Sequence, residues 1–216
     1  MSATTDVDRP QEALAVVRRY LKRERPASAL VAIVLTSAFL WTWVSTSLLP
    51  AVLVALVLAV VVRAPVLQAR GTYRLRSDDD PETVREAFTG PTPPALAFQW
   101  GVADAIRTDG DTITYETSYL FGLRTAETTV ETQTTETADG ACRVELELAV
   151  NDQPWSTYAA SITAADEGTS VDVAYESNVR FGLRRLPQRL VAGRYRDDAL
   201  AAQGYTVVER DTHFGL

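Results

Sequence analysis

The chain has 216 residues, of which 46% are hydrophobic, and its 21 basic and 28 acidic side chains give a formal net charge of −7. This apolar fraction is sufficient for a folded core and excludes a wholly disordered chain. Because Cys142 is the only cysteine and His213 the only histidine, an internal disulfide framework and the usual zinc-binding spacings are excluded. We expect no metal ion and no cofactor. The negative charge argues against nucleic acid as a partner, since binding phosphates requires clustered cations.

The basic residues are almost all arginine, because Lys22 is the only lysine. A surface rich in carboxylates and poor in lysine keeps a protein hydrated in concentrated salt, where screening weakens the repulsion between like charges. In this respect the composition resembles that of proteins from salt-loving archaea. The alternative interpretation is an ordinary acidic domain.

Residues 27–62 carry no charged side chain and are almost continuously apolar. One helix over this stretch would be about 54 Å long, well beyond a hydrocarbon core of about 30 Å. The polar residues 45–47 and Pro50 offer a reversal point, so the pattern predicts a transmembrane hairpin with spans at about 27–46 and 48–68. A cleaved signal peptide is disfavoured by the long leader and the second apolar run. A buried helix pair is disfavoured because the second run is apolar on every face.

Basic residues flank both predicted spans, and the short connection between the spans has none. By the positive-inside tendency, this pattern predicts a multi-pass protein of the cell membrane with both termini in the cytoplasm. The basic residues that we expect at the membrane surface, next to lipid headgroups, are Arg18, Arg19, Lys22, Arg23, Arg25 and Arg63.

Three segments follow from these patterns. Residues 1–26 are predicted to form a basic cytoplasmic helix, which either lies on an anionic leaflet or simply extends the first span. Residues 27–69 are the predicted hairpin. Residues 70–216 are predicted to form a separate cytoplasmic domain.

In the domain the pattern changes from continuously apolar to alternating. The predicted strands lie at 72–77, 112–119, 124–137, 142–150 and 171–176. One apolar and one charged face are typical of an antiparallel sheet covered on a single side. A cap at Asp80 before a proline predicts a short helix over 80–88, and residues 186–202 form the longest helix candidate. The last residues of the chain predict a final strand.

This order of elements resembles the START-like, or SRPBCC, superfamily with its helix-grip fold, over residues 70–216. The predicted fold class is therefore α+β: an N-terminal transmembrane helical hairpin followed by an antiparallel sheet wrapped around a long C-terminal helix. The superfamily has no shared catalytic motif, so the resemblance implies no catalytic residue. It implies a cavity between helix and sheet that holds a hydrophobic ligand. The aromatic candidates for lining such a cavity are Trp100, Tyr115, Tyr119, Phe121, Trp155, Tyr175 and Phe181.

The function that these observations favour is a membrane-anchored protein whose cytoplasmic domain binds a hydrophobic or lipid-like ligand. One alternative is a structural or protein-interaction module with an unknown protein partner. Another is an enzyme of the cyclase or dehydratase type, although the sequence contains no hydrolase or nucleotide-binding motif. Six arginines and no acid occur in residues 180–196, and they either face lipid or pair with carboxylates of the domain.

Overall fold

The computed structural model describes residues 7–119, 123–137, 141–183 and 186–215, with the side chains of residues 24–28, 30, 186–190 and 214 excepted. Its helices are α1 (Gln11–Ser45), α2 (Leu48–Arg63), α3 (Pro81–Thr89), α4 (Ala97–Trp100) and α5 (Leu186–Ala201), with a 3-10 turn at Pro94–Leu96. Its strands are β1 (Gln68–Ser77), β2 (Ala105–Asp109), β3 (Thr112–Tyr119), β4 (Arg124–Glu136), β5 (Cys142–Val150), β6 (Gln153–Ala164), β7 (Thr169–Ser177) and β8 (Tyr205–Gly215).

The strands form one antiparallel sheet in the order β2-β3-β4-β5-β6-β7-β1-β8. β1 lies between β7 and β8, so the first and last strands of the domain pair with each other at one edge. In this register Tyr73 of β1 faces Val173 of β7 on one side and Arg210 of β8 on the other. The final strand predicted from the sequence is present as β8.

Alternation of side chains along the strands decides which face of the sheet is covered. In β5, Val144, Leu146 and Leu148 are buried while Arg143 and Glu147 are exposed. Successive residues of a strand point to opposite faces, so the apolar half of the strand lies against the core. Burying each of these large apolar side chains contributes about 1.5–3 kcal/mol to the stability of the fold.

Helices α3 and α5 contribute side chains to the core on this covered face. The N-cap of α3 is Asp80, whose carboxylate accepts hydrogen bonds from the backbone N–H groups of Glu82 (3.0 Å) and Thr83 (3.1 Å). Val84 and Phe88, four residues apart on α3, are both fully buried. From α5, the side chains of Tyr195, Ala199 and Leu200 enter the same core.

The first turns of α1 pack against α5 and against α4. The buried side chains at this contact are Ala13, Leu14, Val16 and Val17. The ring of Tyr20 lies 4.9 Å from that of Phe98 and 5.9 Å from that of Tyr195, measured between centroids. Arg9 donates a 2.7 Å hydrogen bond to the carbonyl oxygen of Ala103. The beginning of α1 is thus attached to the domain by both apolar and polar contacts.

The predicted transmembrane hairpin is wrong, and so are the multi-pass location and the orientation derived from it. In the part of the chain that the structure describes, no helix combines the length and the apolar character needed to cross a bilayer. α2 has 16 residues, which gives a length of about 24 Å against a hydrocarbon core of about 30 Å. α1 has 35 residues, but its first half carries charged side chains and packs against the domain. The fold class is corrected to an α+β fold built on an eight-stranded antiparallel sheet.

The second half of α1 and most of α2 expose large apolar side chains. Trp41 is 77% exposed, Val44 is 86% exposed and Leu49 is 72% exposed. These side chains contribute nothing to the core between the sheet and α5. The interior of the domain is therefore formed without them.

Candidate ligand-binding site

Three tyrosines from three neighbouring strands lie together on the covered face of the sheet. Tyr158 of β6 is the register partner of Tyr175 of β7, and their rings stack with centroids 5.9 Å apart and an interplanar angle of 25°. Tyr73 of β1 follows on the other side, with its ring centroid 6.3 Å from that of Tyr175. The strand order β6-β7-β1 brings these residues together, although they are distant in the sequence.

A glycine provides the space for the central ring of this group. Gly71 is the register partner of Tyr175 across β1 and β7. A Cβ atom at Gly71 would lie 3.0 Å from Cε1 of Tyr175 and would also clash with the backbone oxygen of Asp211. A residue without a side chain is therefore required at this close approach.

Arg196 of α5 places a positive charge over the tyrosines. Its Cζ atom lies 5.6 Å from the centroid of the Tyr175 ring. Burial lowers the pKa of Arg196, but interactions with Tyr158, Tyr73 and Tyr175, including a hydrogen bond to the Tyr175 side chain, outweigh burial and raise its pKa. Among the side chains described, no carboxylate lies within ion-pair distance of Arg196.

A second arginine nearby already has a carboxylate partner. Arg210 of β8 places its Cζ atom 5.4 Å from the centroid of the Tyr73 ring. Its guanidinium lies 2.5 Å from the carboxylate of Asp197 on α5 and also donates a 3.1 Å hydrogen bond to the carbonyl oxygen of Gly193. The pair ties α5 to the edge of the sheet, and Asp197 is within ion-pair distance of Arg210 and not of Arg196.

Two hydroxyl groups on the covered face are buried without a hydrogen-bond partner among the described residues: Oη of Tyr73, which lies close to Arg196, and Oγ of Ser156 on β6. Ser156 precedes Tyr158 by two residues on β6 and therefore points to the same face. Burial raises the pKa of Tyr73, so its hydroxyl stays protonated and can act as a donor. We call the group of Tyr73, Ser156, Tyr158, Tyr175 and Arg196 the tyrosine–arginine cluster.

Two of the aromatic residues predicted to line a cavity are fully satisfied core residues. Trp100 is 0% exposed and donates from Nε1 to the carbonyl oxygen of Pro93 at 3.0 Å. Tyr115 is 1% exposed and donates from its hydroxyl to the carbonyl oxygen of Pro91 at 3.1 Å. Both side chains thus fix the loop at residues 91–94 against the core, and β4 and β5 separate Tyr115 from the tyrosine–arginine cluster.

The other predicted lining residues are spread over the domain. Tyr175 lies in the tyrosine–arginine cluster, whereas Tyr119 is 44% exposed at the end of β3. Trp155 is partly buried at the start of β6 and packs against the core. Phe181 is buried, and its backbone forms an isolated bridge with Leu67. Phe121 lies outside the described residues.

Sequence reasoning missed Tyr73, Tyr158 and Ser156 as members of a site. Tyr73 belongs to a predicted strand, and the alternation of side chains along that strand indicates that Tyr73 faces the covered side of the sheet. Tyr158 and Ser156 lie on β6, which is rich in serine, threonine and alanine and was not predicted. The sequence identifies Arg196 only as one of the six arginines in residues 180–196.

The basic residues predicted at a membrane surface are mostly exposed in the structure. Exposed side chains are those of Arg18, Arg19, Lys22, Arg23 and Arg63. The side chain of Arg25 lies outside the described part. The arginine-rich segment is divided: Arg180 and Arg194 are exposed, Arg196 lies in the tyrosine–arginine cluster, and the other three side chains are not described.

A cleft of about 710 Å³ lies at the far edge of the sheet, between α3 and the β2–β3 turn. Its lining includes Arg85, Thr89, Asp111 and Thr132 and is rich in hydroxyl groups. Arg85 is paired with Glu82 on the same helix. Within the described residues, no three acidic, histidine or cysteine side chains group closely enough to hold a metal ion. The polar character of this cleft does not fit an apolar ligand.

No family model matches the chain, and a search of curated proteins gives no match. Among similar solved structures, a conserved protein from Geobacillus kaustophilus has 13% identity and a TM-score of 0.41, covering 68% of this chain and 99% of that one. Mll3558 from Rhizobium loti has 19% identity and a TM-score of 0.42, covering 63% and 98%. A START superfamily protein from Mycobacterium smegmatis has 10% identity and a TM-score of 0.40, covering 64% and 94%.

These likenesses are too distant to carry an argument about function. The fold is therefore defined by the strand order and the helix placement of this chain alone. The comparisons also give no support to a salt-loving archaeal source for the acidic composition.

Proposed function

We propose that the chain is a binding module for a hydrophobic or lipid-like small molecule, held between α5 and the covered face of the sheet beside the tyrosine–arginine cluster. The observation that carries this proposal is that the buried hydroxyl groups of Tyr73 and Ser156 find no hydrogen-bond partner among the described residues. Binding sites for small molecules commonly combine an apolar lining with a few convergent polar groups.

The energetics of the unpaired hydroxyls support a ligand at this place. A buried donor or acceptor without a partner costs about 1–3 kcal/mol. Tyr73 is 3% exposed and Ser156 is 6% exposed, so neither hydroxyl is freely hydrated. A ligand that offers an acceptor to these groups recovers that cost. The tyrosine rings supply large apolar faces with polar ends, which suits an amphiphilic molecule.

Two consecutive alanines of β6 provide a matched test. Ala160 is 2% exposed and lies on the covered face next to the tyrosine–arginine cluster, whereas Ala159 points to the opposite face. We expect dodecanol to bind the full chain saturably in isothermal titration calorimetry. A160L should weaken this binding about tenfold or more, which corresponds to about 1.4 kcal/mol. A159L should leave it unchanged.

Circular dichroism of each variant checks that the fold is retained in this experiment. Absence of saturable binding to the folded wild-type chain would contradict the proposal. Equal affinity of the wild-type chain, A159L and A160L would place the dodecanol elsewhere and would contradict it as well.

A further inference from the structure

We infer that the tyrosine–arginine cluster binds the carboxylate end of the ligand, so that the ligand class is an apolar monocarboxylate with its hydrocarbon part along the α5–sheet interface. This inference rests on the proposed function, because it specifies the chemistry of the molecule bound there. Three observations carry it: the guanidinium of Arg196, which has no carboxylate within ion-pair distance among the described side chains, the buried hydroxyl of Tyr73, which has no hydrogen-bond partner among them, and the net charge of the site.

The geometry of the cation favours a planar anion. A guanidinium presents its N–H donors in a rigid fork that matches the two oxygens of a carboxylate. Arg196 has tyrosines around it and no carboxylate within ion-pair distance among the described side chains. Arg210 is not available for this role because Asp197 already neutralises it.

The charge count favours a monoanion over a dianion. The site contains two guanidinium groups, those of Arg196 and Arg210, and one carboxylate, that of Asp197, which leaves one net positive charge. A single carboxylate on the ligand neutralises this charge. A phosphate monoester dianion would leave excess negative charge in a partly desolvated interface, which is costly.

The unpaired hydroxyl of Tyr73 acts as a donor to the same anion. A carboxylate offers about four lone-pair sites, and therefore accepts from a guanidinium and from hydroxyl groups at the same time. Tyr73 on β1 provides such a donor close to Arg196, whereas Ser156 lies two strands away on β6, where its register partner Ser177 is four residues from the partner of Tyr73 on β7. Ala160 and Val173 pair with each other beside Tyr158 and Tyr73, and a hydrocarbon chain would contact them by displacing the core side chains that cover them.

Isothermal titration calorimetry of the full chain with dodecanoate and dodecanol, each below its micellar concentration, tests this assignment. We expect dodecanoate to bind the wild-type chain about tenfold more tightly than dodecanol, because hydrogen bonds to charged groups are stronger than those between neutral groups. R196Q should abolish this difference, so that dodecanoate no longer binds more tightly than dodecanol. R194Q is the matched control, because Arg194 is exposed on the same helix, and it should behave like the wild-type chain.

Y73F is a second variant that does not depend on the folding of R196Q. It keeps the ring and removes only the hydroxyl, which has no partner among the described residues. We expect Y73F to weaken the binding of dodecanoate several-fold and more than that of dodecanol, because a hydrogen bond to a charged acceptor is the stronger one, and to melt at the same or a higher temperature. A purely structural role of the hydroxyl would instead lower the melting temperature and leave the ratio of the two affinities unchanged.

The outcomes separate this inference from the proposed function. If dodecanol and dodecanoate bind equally to the wild-type chain, R196Q and Y73F, the carboxylate assignment is overturned while the binding module stands. If neither compound binds, the proposed function itself fails. Tighter binding of dodecyl phosphate than of dodecanoate would overturn the assignment of a monoanion.

Discussion

Gly71 and Tyr175 face each other across β1 and β7, and a Cβ atom at Gly71 would clash with the backbone oxygen of Asp211 and would meet the tyrosine ring at 3.0 Å. The position of this ring matters because it contacts Tyr158 on one side, Tyr73 on the other and Arg196 from α5. The arrangement of polar groups in the interface thus depends on a residue that has no side chain of its own.

The close packing around Gly71 predicts that a single added methyl group there lowers the stability of the fold substantially. G71A should lower the free energy of unfolding by about 2 kcal/mol or more, because a backbone oxygen cannot move aside easily. G193A is the matched control, since an added Cβ there meets no atom within 4 Å. It should stabilise α5 by about 1 kcal/mol, which is the helix-propensity difference between glycine and alanine. Urea denaturation measures both values, and a similar loss in the two variants would contradict the packing described.

The N-cap of α3 predicts a pH-dependent contribution to stability. The hydrogen bonds from Thr83 and Glu82 hold the pKa of Asp80 below its usual value of 3.8. A carboxyl group with a lowered pKa in the folded state stabilises the protein above the pKa of the unfolded chain, and this contribution is lost as the pH falls through the folded value. D80A should therefore melt at a lower temperature at neutral pH, with a difference that shrinks in acid.

The control for this prediction is D80N, because asparagine caps helices about as well as aspartate but does not titrate. D80N should melt close to the wild-type chain at neutral pH. A constant difference between the wild-type chain and D80A from neutral pH into acid would show that the carboxylate does not cap α3.

Because the indole of Trp100 is buried and hydrogen-bonded, replacing it should lower the stability of the fold far more than replacing an exposed tryptophan. W100F leaves the carbonyl oxygen of Pro93 without its donor and creates a small cavity, so we expect a loss of about 2–4 kcal/mol. W41F changes a side chain that is 77% exposed, and surface changes of this kind stay within about 0.5 kcal/mol. Denaturant titration of both variants gives the comparison. Equal effects would mean that Trp100 is not the buried anchor of the 91–94 loop.

The buried tyrosines predict a loss of stability in alkali. Burial raises the pKa values of Tyr73 and Tyr115 above the usual 10.0, and burial together with Asp79 raises that of Tyr205 to about 12. These hydroxyls stay protonated in the folded chain while they ionise in the unfolded chain. The contribution is therefore fully present below pH 10 and is lost as the pH rises toward the folded values.

Denaturation measured at increasing pH, with tyrosinate absorbance followed in parallel, checks this dependence. Y205F should flatten the alkaline decline. Ionisation of all tyrosines near pH 10 without unfolding would contradict the burial described.

The sequence was informative wherever a local rule decides the structure. The alternation in residues 142–150 became β5, and the cap at Asp80 begins α3, because side-chain direction and helix capping are properties of neighbouring residues. β6 was missed because Ser156, Thr157 and Ser161 weaken its apolar alternation. The transmembrane hairpin predicted from the apolar residues 27–62 is wrong, because hydropathy alone does not fix where a helix ends. Helix α2 ends at Arg63 after 16 residues.

The candidate site was less predictable than the fold. Tyr175 was selected because it is an aromatic residue in a predicted strand. Its partners could not be found, because Tyr73, Tyr158 and Arg196 are brought together only by the pairing of β7 with β1 and by the placement of α5 over the sheet. Such long-range pairing leaves no periodic signal in a single sequence.

Photo-crosslinking locates the ligand directly. A dodecanoate with a diazirine in its chain, activated on the full-length protein and mapped by mass spectrometry of the resulting peptides, should label β6, β7 and α5 and should do so less in R196Q than in R194Q. Labelling confined to the exposed apolar side chains of α2, with no difference between R196Q and R194Q, would contradict a binding site between α5 and the sheet.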